Sequence, residues 1–251
     1  MQKFDGLADD YDRNRPRYPT SLFHTIKSRL PVRERLRILD AGAGTGIALE
    51  GLVDLLGDQH DYLAVDVSAD MVEKGREKFS YVEWAVSAAE PYLETLQNVD
   101  LVIAAQAYQW MERERFIRGA VSALRAGGVL AIMQNNRDYI ASPFLDEYET
   151  LLEEHSPGYN RSYRDFDIAA ELSIVFINGV GSVQTETSGW SKASTVTEFV
   201  RMASSSTQVQ RAIEAEGESF LDRVSALVKE HAVNGVLEIA YKSELFLGVL
   251  D

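Results

Sequence analysis

The chain has no cysteine among its 251 residues, so disulfides, thiolate metal sites and a cysteine nucleophile are excluded. Histidine is scarce. His24, His60, His155 and His231 each fall in or beside a predicted helix, where a surface or core role outweighs a catalytic one. No His, Asp and Glu spacing suggests a metal site, and no metal is expected. No apolar run reaches the roughly 20 residues of a membrane span. Met1-Gln2-Lys3-Phe4-Asp5 lacks the basic-then-apolar order of a signal peptide. Positive charge is also short, with 25 Lys and Arg against 39 Asp and Glu and a net charge of −14. A field of that sign repels nucleic-acid phosphates and sits more easily with a small neutral or cationic partner. These absences predict a cytoplasmic, soluble protein, monomeric or homodimeric, acting on a small molecule with no nucleic-acid or membrane partner.

What is present is an ordinary apolar fraction of 45%, enough for a proper core, with no repeat or linker, so one unit is expected over 1–251. Its centre is a short apolar run ending in Asp40, followed by Gly42, Gly44 and Gly46 at every second position and then a helical pattern. That order predicts a buried strand, a tight turn and a helix start. Glycines let backbone approach a bulky ligand closely, and the helix start presents free N–H groups to it. A dinucleotide fingerprint needs its third glycine at the position of Ile47, and a P-loop needs Gly-Lys-Ser/Thr, which is absent. Another nucleotide ligand and a ligand-free turn both remain open from this stretch alone. A second apolar run ends in Asp66, 20 residues beyond Gly46, where a ribose-binding carboxylate belongs in a nucleotide fold. Ser68 is better placed to cap the following helix, which leaves Asp66 free for a ligand and Val67 beside the base.

The string Asp40-x-Gly42-x-Gly44-x-Gly46 resembles the first motif of class I S-adenosylmethionine-dependent methyltransferases. Tyr11, Arg15, Pro16, Tyr18 and Pro19 are similar to the Tyr-x-x-x-Arg-Pro-x-Tyr-Pro segment that opens many small-molecule members and folds over the cofactor. Gln106, Ala107 and Trp110 match the Gln-Ala-x-His-Trp loop of the trans-aconitate and ubiquinone–menaquinone biosynthesis group. Two departures stand out: Gln109 replaces the loop histidine, and Ala88 replaces an acid that reads the adenine amino group. The resemblance implies an α/β, Rossmann-like sheet of order 3-2-1-4-5-7-6 with strand 7 antiparallel, and S-adenosylmethionine as cofactor. Helical cover would be inserted between strands 5 and 6 and between strands 6 and 7. The implied cofactor residues are Tyr11, Arg15, Asp40, Gly42, Ala43, Gly44, Gly46, Asp66, Val67, Ala88, Ala89, Glu90 and Gln106. Gln106, Tyr108, Gln109 and Trp110 would face the methyl group. Tyr18, Tyr108, Trp110, Tyr139, Tyr163 and Arg201 are the acceptor candidates. No residue is singled out as a base, so transfer by positioning is expected. A non-catalytic cofactor-binding protein of the same fold and an NAD-type oxidoreductase are the alternatives.

The remaining pattern predicts a helix over 20–29, strands over 36–40, 62–66, 81–86, 99–105 and 129–134, and helices over 45–56, 71–78 and 113–124. Beyond these come helices over 144–154 and 167–176, a strand over 182–189, helices over 195–203 and 207–231, and a terminal strand over 235–250 paired antiparallel with the 182–189 strand. An N-terminal lid would cover 1–31. The cofactor core would take 32–135, 174–190 and 235–251, and the substrate cover 136–173 and 191–234.

Overall fold

The computed structural model describes residues 12, 15–176 and 181–251; Tyr11 lies outside them. Seven strands form one sheet in the order β3-β2-β1-β4-β5-β7-β6. They are β1 (Arg37–Ala41), β2 (Asp61–Asp66), β3 (Glu83–Val86), β4 (Val99–Ala105), β5 (Leu124–Arg137), β6 (Gly181–Thr195) and β7 (Val236–Leu250). The first five run parallel, and β7 lies antiparallel to both β5 and β6. Strand β4 is buried along nearly its whole length, so it reads as a continuous apolar run, as interior parallel strands do.

Both faces are covered by helices. On one face α1 (Thr20–Arg29), α2 (Ile47–Leu56) and α3 (Ala69–Lys78) bury Leu22, Phe23, Ile26, Leu49, Leu52 and Val72 against the sheet. On the other, α4 (Ala89–Leu93), α5 (Arg113–Ala123) and α7 (Ile168–Phe176) contribute Leu93, Phe116, Ile117, Leu172 and Phe176. Helix α1 starts behind Pro19 with no side-chain cap. The boundary expected between 173 and 174 falls inside α7, which packs on the sheet.

The β6–β7 hairpin runs past the sheet. It pairs from Gly181↔Leu250 to Thr195↔Val236, whereas β5 stops at Arg137↔Tyr241. The projecting end carries Leu237, Ile239 and Tyr241 into a separate core with α6 (Pro143–His155), α8 (Val196–Ser204), α9 (Thr207–Glu216) and α10 (Ser219–His231). Polar Ser, Thr, Lys and Gly in 188–195 hide this extension from an alternation test. The single helix expected over 207–231 is two, broken at Gly217 with φ 86°. The apolar stripe continues across the break, so periodicity does not register it.

Helix α3 lies so close to β3 that a Cβ at Gly75 would sit 2.1 Å from Trp84 Cη2. Overpacking of this kind costs about 1–3 kcal/mol, and each kcal/mol lowers Tm by roughly 2–4 °C at this size. Gly75→Ala is therefore expected to lower the calorimetric Tm by several degrees. Gly189→Ala, where an added Cβ meets nothing within 4 Å, should leave it nearly unchanged. Equal effects of the two would contradict the packing account.

Candidate active site

The carboxyl ends of the parallel strands open into a cavity of about 700 Å³. This is where ligands sit in open α/β sheets, and the size suits small molecules. The first wall is the turn between β1 and α2. Gly42, Gly44 and Gly46 all take positive φ, at 71°, 56° and 83°, a region that side chains disfavour. Gly42 is constrained twice, since a Cβ there would lie 2.5 Å from Ala107 Cβ. The glycine turn and the loop after β4 thus pack directly on one another. The turn is tied to β2 as well: Gly42 N and Ala43 N both donate to Val65 O, at 2.8 and 3.0 Å.

Two carboxylates sit at the strand ends. Ser68 caps α3 through Met71 N as expected, but this does not leave Asp66 wholly free. Asp66 accepts from Gly44 N and Ser68 N, each at 2.9 Å, and so holds the turn in place. Burial raises its pKa, opposed by the backbone N–H groups of Ser68, Gly44 and Val67. A carboxylate has about four lone-pair sites, so capacity toward the cavity remains. Asp40 is different. It is fully buried, lines the cavity, and neither of its oxygens has a hydrogen-bond partner among the described residues. Burial first, then the neighbouring Asp66, pushes its pKa up to about 8.

Val67, Ala88, Ala89 and Glu90 line the adjoining wall. Glu90 has a structural task too: Oε1 accepts from Glu112 N at 2.7 Å, at the entry to α5. The β4 loop brings Gln106, Gln109 and Trp110 to the cavity. Gln106 adopts φ 56° and donates from Nε2 to Asn135 O at 2.5 Å, while Gln109 Nε2 donates to Gln106 O at 2.8 Å. Tyr108, expected at the pocket, does not reach it. The one-turn 3₁₀ segment Tyr108–Trp110 advances about three residues per turn and so aims its members to different sides. Tyr108 is fully buried between Phe116 and Phe166, and its hydroxyl donates to Glu171 at 2.5 Å. Its polar handle, which suggested a pocket role, is satisfied by α7.

The N-terminal arm and the cover close the cavity. Arg15, Pro16 and Tyr18 line it. The arm is held down by Asp12, which accepts from Thr45 at 2.7 Å and Lys78 at 2.6 Å, and by Arg17, which pairs with Glu50 at 2.7 Å. Burial opposes ionisation of Asp12, yet the bonds from Lys78 and Thr45 leave its pKa below the usual value. Tyr139, Tyr159, Tyr163 and Arg164 approach from the segments flanking α6. Arg201 does not: it is exposed on α8, and the next residue, Met202, faces inward. One residue of register separates the two, too fine for a pattern to decide.

The structure adds residues that spacing did not identify. Gln134, Asn135, Asn136 and Arg137 at the end of β5, and Arg164, line the same cavity. Four polar residues directly after a buried apolar strand were the available signal. Arg137 pairs with Glu149 at 3.2 Å, and Glu149 also accepts from the Tyr159 hydroxyl.

Residues 38–128 match a family described as a methyltransferase domain. The chain is 26% identical over 245 residues to an uncharacterised methyltransferase of Schizosaccharomyces pombe, with 94% of each chain covered. It is 33% identical to one of Mycobacterium tuberculosis over 54% of this chain and about half, 53%, of that relative's length. Among solved structures, a protein of Anaeromyxobacter dehalogenans assigned as a type II methyltransferase superposes with TM-score 0.67 at 21% identity, covering 94% and 97% of the two chains. Phosphoethanolamine N-methyltransferase 2 of Haemonchus contortus, solved with phosphomonomethylethanolamine and S-adenosylhomocysteine, does so with TM-score 0.56 at 17% identity, covering 97% and 56%. With the sheet order and the glycine turn in place, residues 38–128 match the methyltransferase-domain family within a chain that carries the class I methyltransferase fold.

Proposed function

We propose that this chain transfers a methyl group from S-adenosylmethionine to a small-molecule acceptor. The observation that carries this reading is Asp40, a fully buried carboxyl at the cavity with neither oxygen partnered among the described residues. A buried charge is costly unless paired, so the group suits a cationic ligand. A nicotinamide dinucleotide would bring an anionic pyrophosphate to this turn instead. Asp66 supplies the ribose acceptor, and Val67 with Ala88 and Ala89 forms the wall beside the base. Asp40 faces the cationic amino-acid end of the cofactor.

When bound, S-adenosylmethionine supplies a methyl group activated by a sulfonium. The task left to the chain is to hold two molecules in line, which contributes up to about 7–11 kcal/mol in favourable cases. The glycine turn and Asp66 fix the nucleoside, the β4 loop shapes the space beside the methyl group, and the arm and cover exclude water. No histidine lines the cavity among the described residues, and Gln109 donates to Gln106 O rather than offering a base. Acceptors that arrive already able to attack fit this wall best.

Two expected outcomes test the reading. Asp40 is neutral below about pH 8 when no cation faces it, so receiving one requires loss of its proton. Binding should therefore release a proton near neutrality, and affinity should rise from about pH 6 to about pH 8 and then level off. Titration calorimetry in buffers of different ionisation enthalpy reads both effects. In Asp40→Asn binding should weaken more than tenfold and lose its pH dependence; affinity that falls across this window sinks the assignment. Asp66→Ala should weaken S-adenosylmethionine at least tenfold and lower Tm, because Gly44 N loses its acceptor. An unchanged dissociation constant would contradict the ribose role.

A further inference from the structure

Several cations line the cavity although the chain as a whole is acidic. Net charge is −14, yet Arg15, Arg137, Arg161, Arg164 and Lys242 all line the cavity. Most of these cations have carboxylates of their own. Arg137 has Glu149 at 3.2 Å, Lys242 has Glu244 at 2.7 Å, and Arg161 has Asp146 at 2.6 Å and Glu153 at 2.8 Å. Arg164 makes no ion pair among the described residues. Its Nη1 donates to the neutral amide oxygen of Asn136, its guanidinium lies 4.7 Å from the centre of the Tyr163 ring, and its Nε is buried without an acceptor. Asp165, the next residue, also lines the cavity but is exposed and makes no ion pair with it.

The surroundings hold Arg164 in place. The Asn136 side chain donates from Nδ2 to Gln134 Oε1 at 2.9 Å, and its Oδ1 also accepts from Gln106 Nε2 at 3.5 Å. A chain of amides thus links the loop beside the proposed methyl position to the guanidinium. Next to it stand three rings: Tyr163 lies 6.2 Å from Trp110 and 5.8 Å from Tyr159, centre to centre. A half-buried cation with an unused donor, beside an aromatic wall, lacks only an anion. The planar fork of arginine matches carboxylate and phosphate geometry.

We infer that Arg164 is a specificity-determining residue, binding the carboxylate or phosphate of a methyl acceptor whose flat, apolar body lies against Trp110 and Tyr163. This rests on the proposed cofactor occupying the Asp40–Asp66 end. Sequence charge pointed to neutral or cationic substrates; the local site selects the opposite sign.

The test is titration calorimetry of the full chain with benzoate, phenyl phosphate and the neutral benzamide, each with and without S-adenosylhomocysteine. At least one anion should bind tenfold or more tighter than benzamide, and the tighter of the two identifies carboxylate or phosphate. Arg164→Gln should abolish that preference, Arg164→Lys should keep part of it, and the dissociation constant of S-adenosylhomocysteine should stay within twofold in both variants. Equal affinity for all three probes, no binding at millimolar concentration, or a preference that survives Arg164→Gln overturns the inference. A failure of the cofactor reading would show separately, as no heat from S-adenosylhomocysteine, while the anion preference still decides the role of Arg164.

Discussion

The closest approach at the site is between Gly42 and Ala107, where a Cβ added to the glycine would overlap the alanine methyl. The rest of the site depends on that contact. It seats the loop after β4 on the turn after β1, so Gln106 and Gln109 stand beside the glycine turn rather than apart from it. On its other side the turn is held to β2, where Val65 O takes two of its N–H groups and Asp66 takes that of Gly44. Three strand ends are thereby fixed to one another by backbone hydrogen bonds and by two short side chains, Ala107 and Asp66. Sites that act by positioning need such rigidity.

Asp40 shows what this arrangement costs. An unpartnered, fully buried carboxyl destabilises the ligand-free chain as pH rises. Its unfolded pKa is near the ordinary carboxylate value and its folded pKa is raised to about 8, so the folded state keeps a proton that the unfolded chain has already lost, and stability falls across the interval between the two values and then levels off. No hydrogen-bond partner among the described residues relieves this, and Lys78 is committed to Asp12 and Glu50. A group kept at such a cost, in a cavity, is what a ligand-completed site looks like. Asp66 is the counterpart: it is already engaged by backbone, and it shapes the turn whether or not a ligand is present.

Much of the fold was legible because parallel strands buried on both faces leave continuous apolar runs. Strands β1, β2 and β4 were readable for that reason, and so were Asp40, Asp66 and the glycines at their ends. Features set by one residue of register were not. Tyr108 and Trp110 share a loop and a chemistry, yet a 3₁₀ turn sends one into the core and the other to the cavity mouth. Arg201 and Met202 differ in the same way on α8. The outer part of β6 carries polar residues on both faces, because β7 and the cover, not the sheet core, hold it. Gly217 breaks a helix whose stripe resumes in phase. Arg164 left no local signal, since its importance comes from what it is not paired with in space.

That last point separates two halves of the molecule. The cofactor end is built from strand termini and turns of the sheet, and its residues follow one another at spacings that a linear pattern can carry. The opposite end is assembled from β5's polar terminus, the segments around α6, and helices resting on the projecting hairpin, with an apolar core of their own. Substitutions in that second core can reshape the wall without disturbing the glycine turn. Asn136 spans the two, touching Gln134, Gln106 and Arg164 through one amide. Net charge, a sum over the surface, is blind to this division. One guanidinium held between an amide and an aromatic ring, partly withdrawn from solvent, acts more strongly on a group bound beside it than a surface charge does, because screening by water is weaker there.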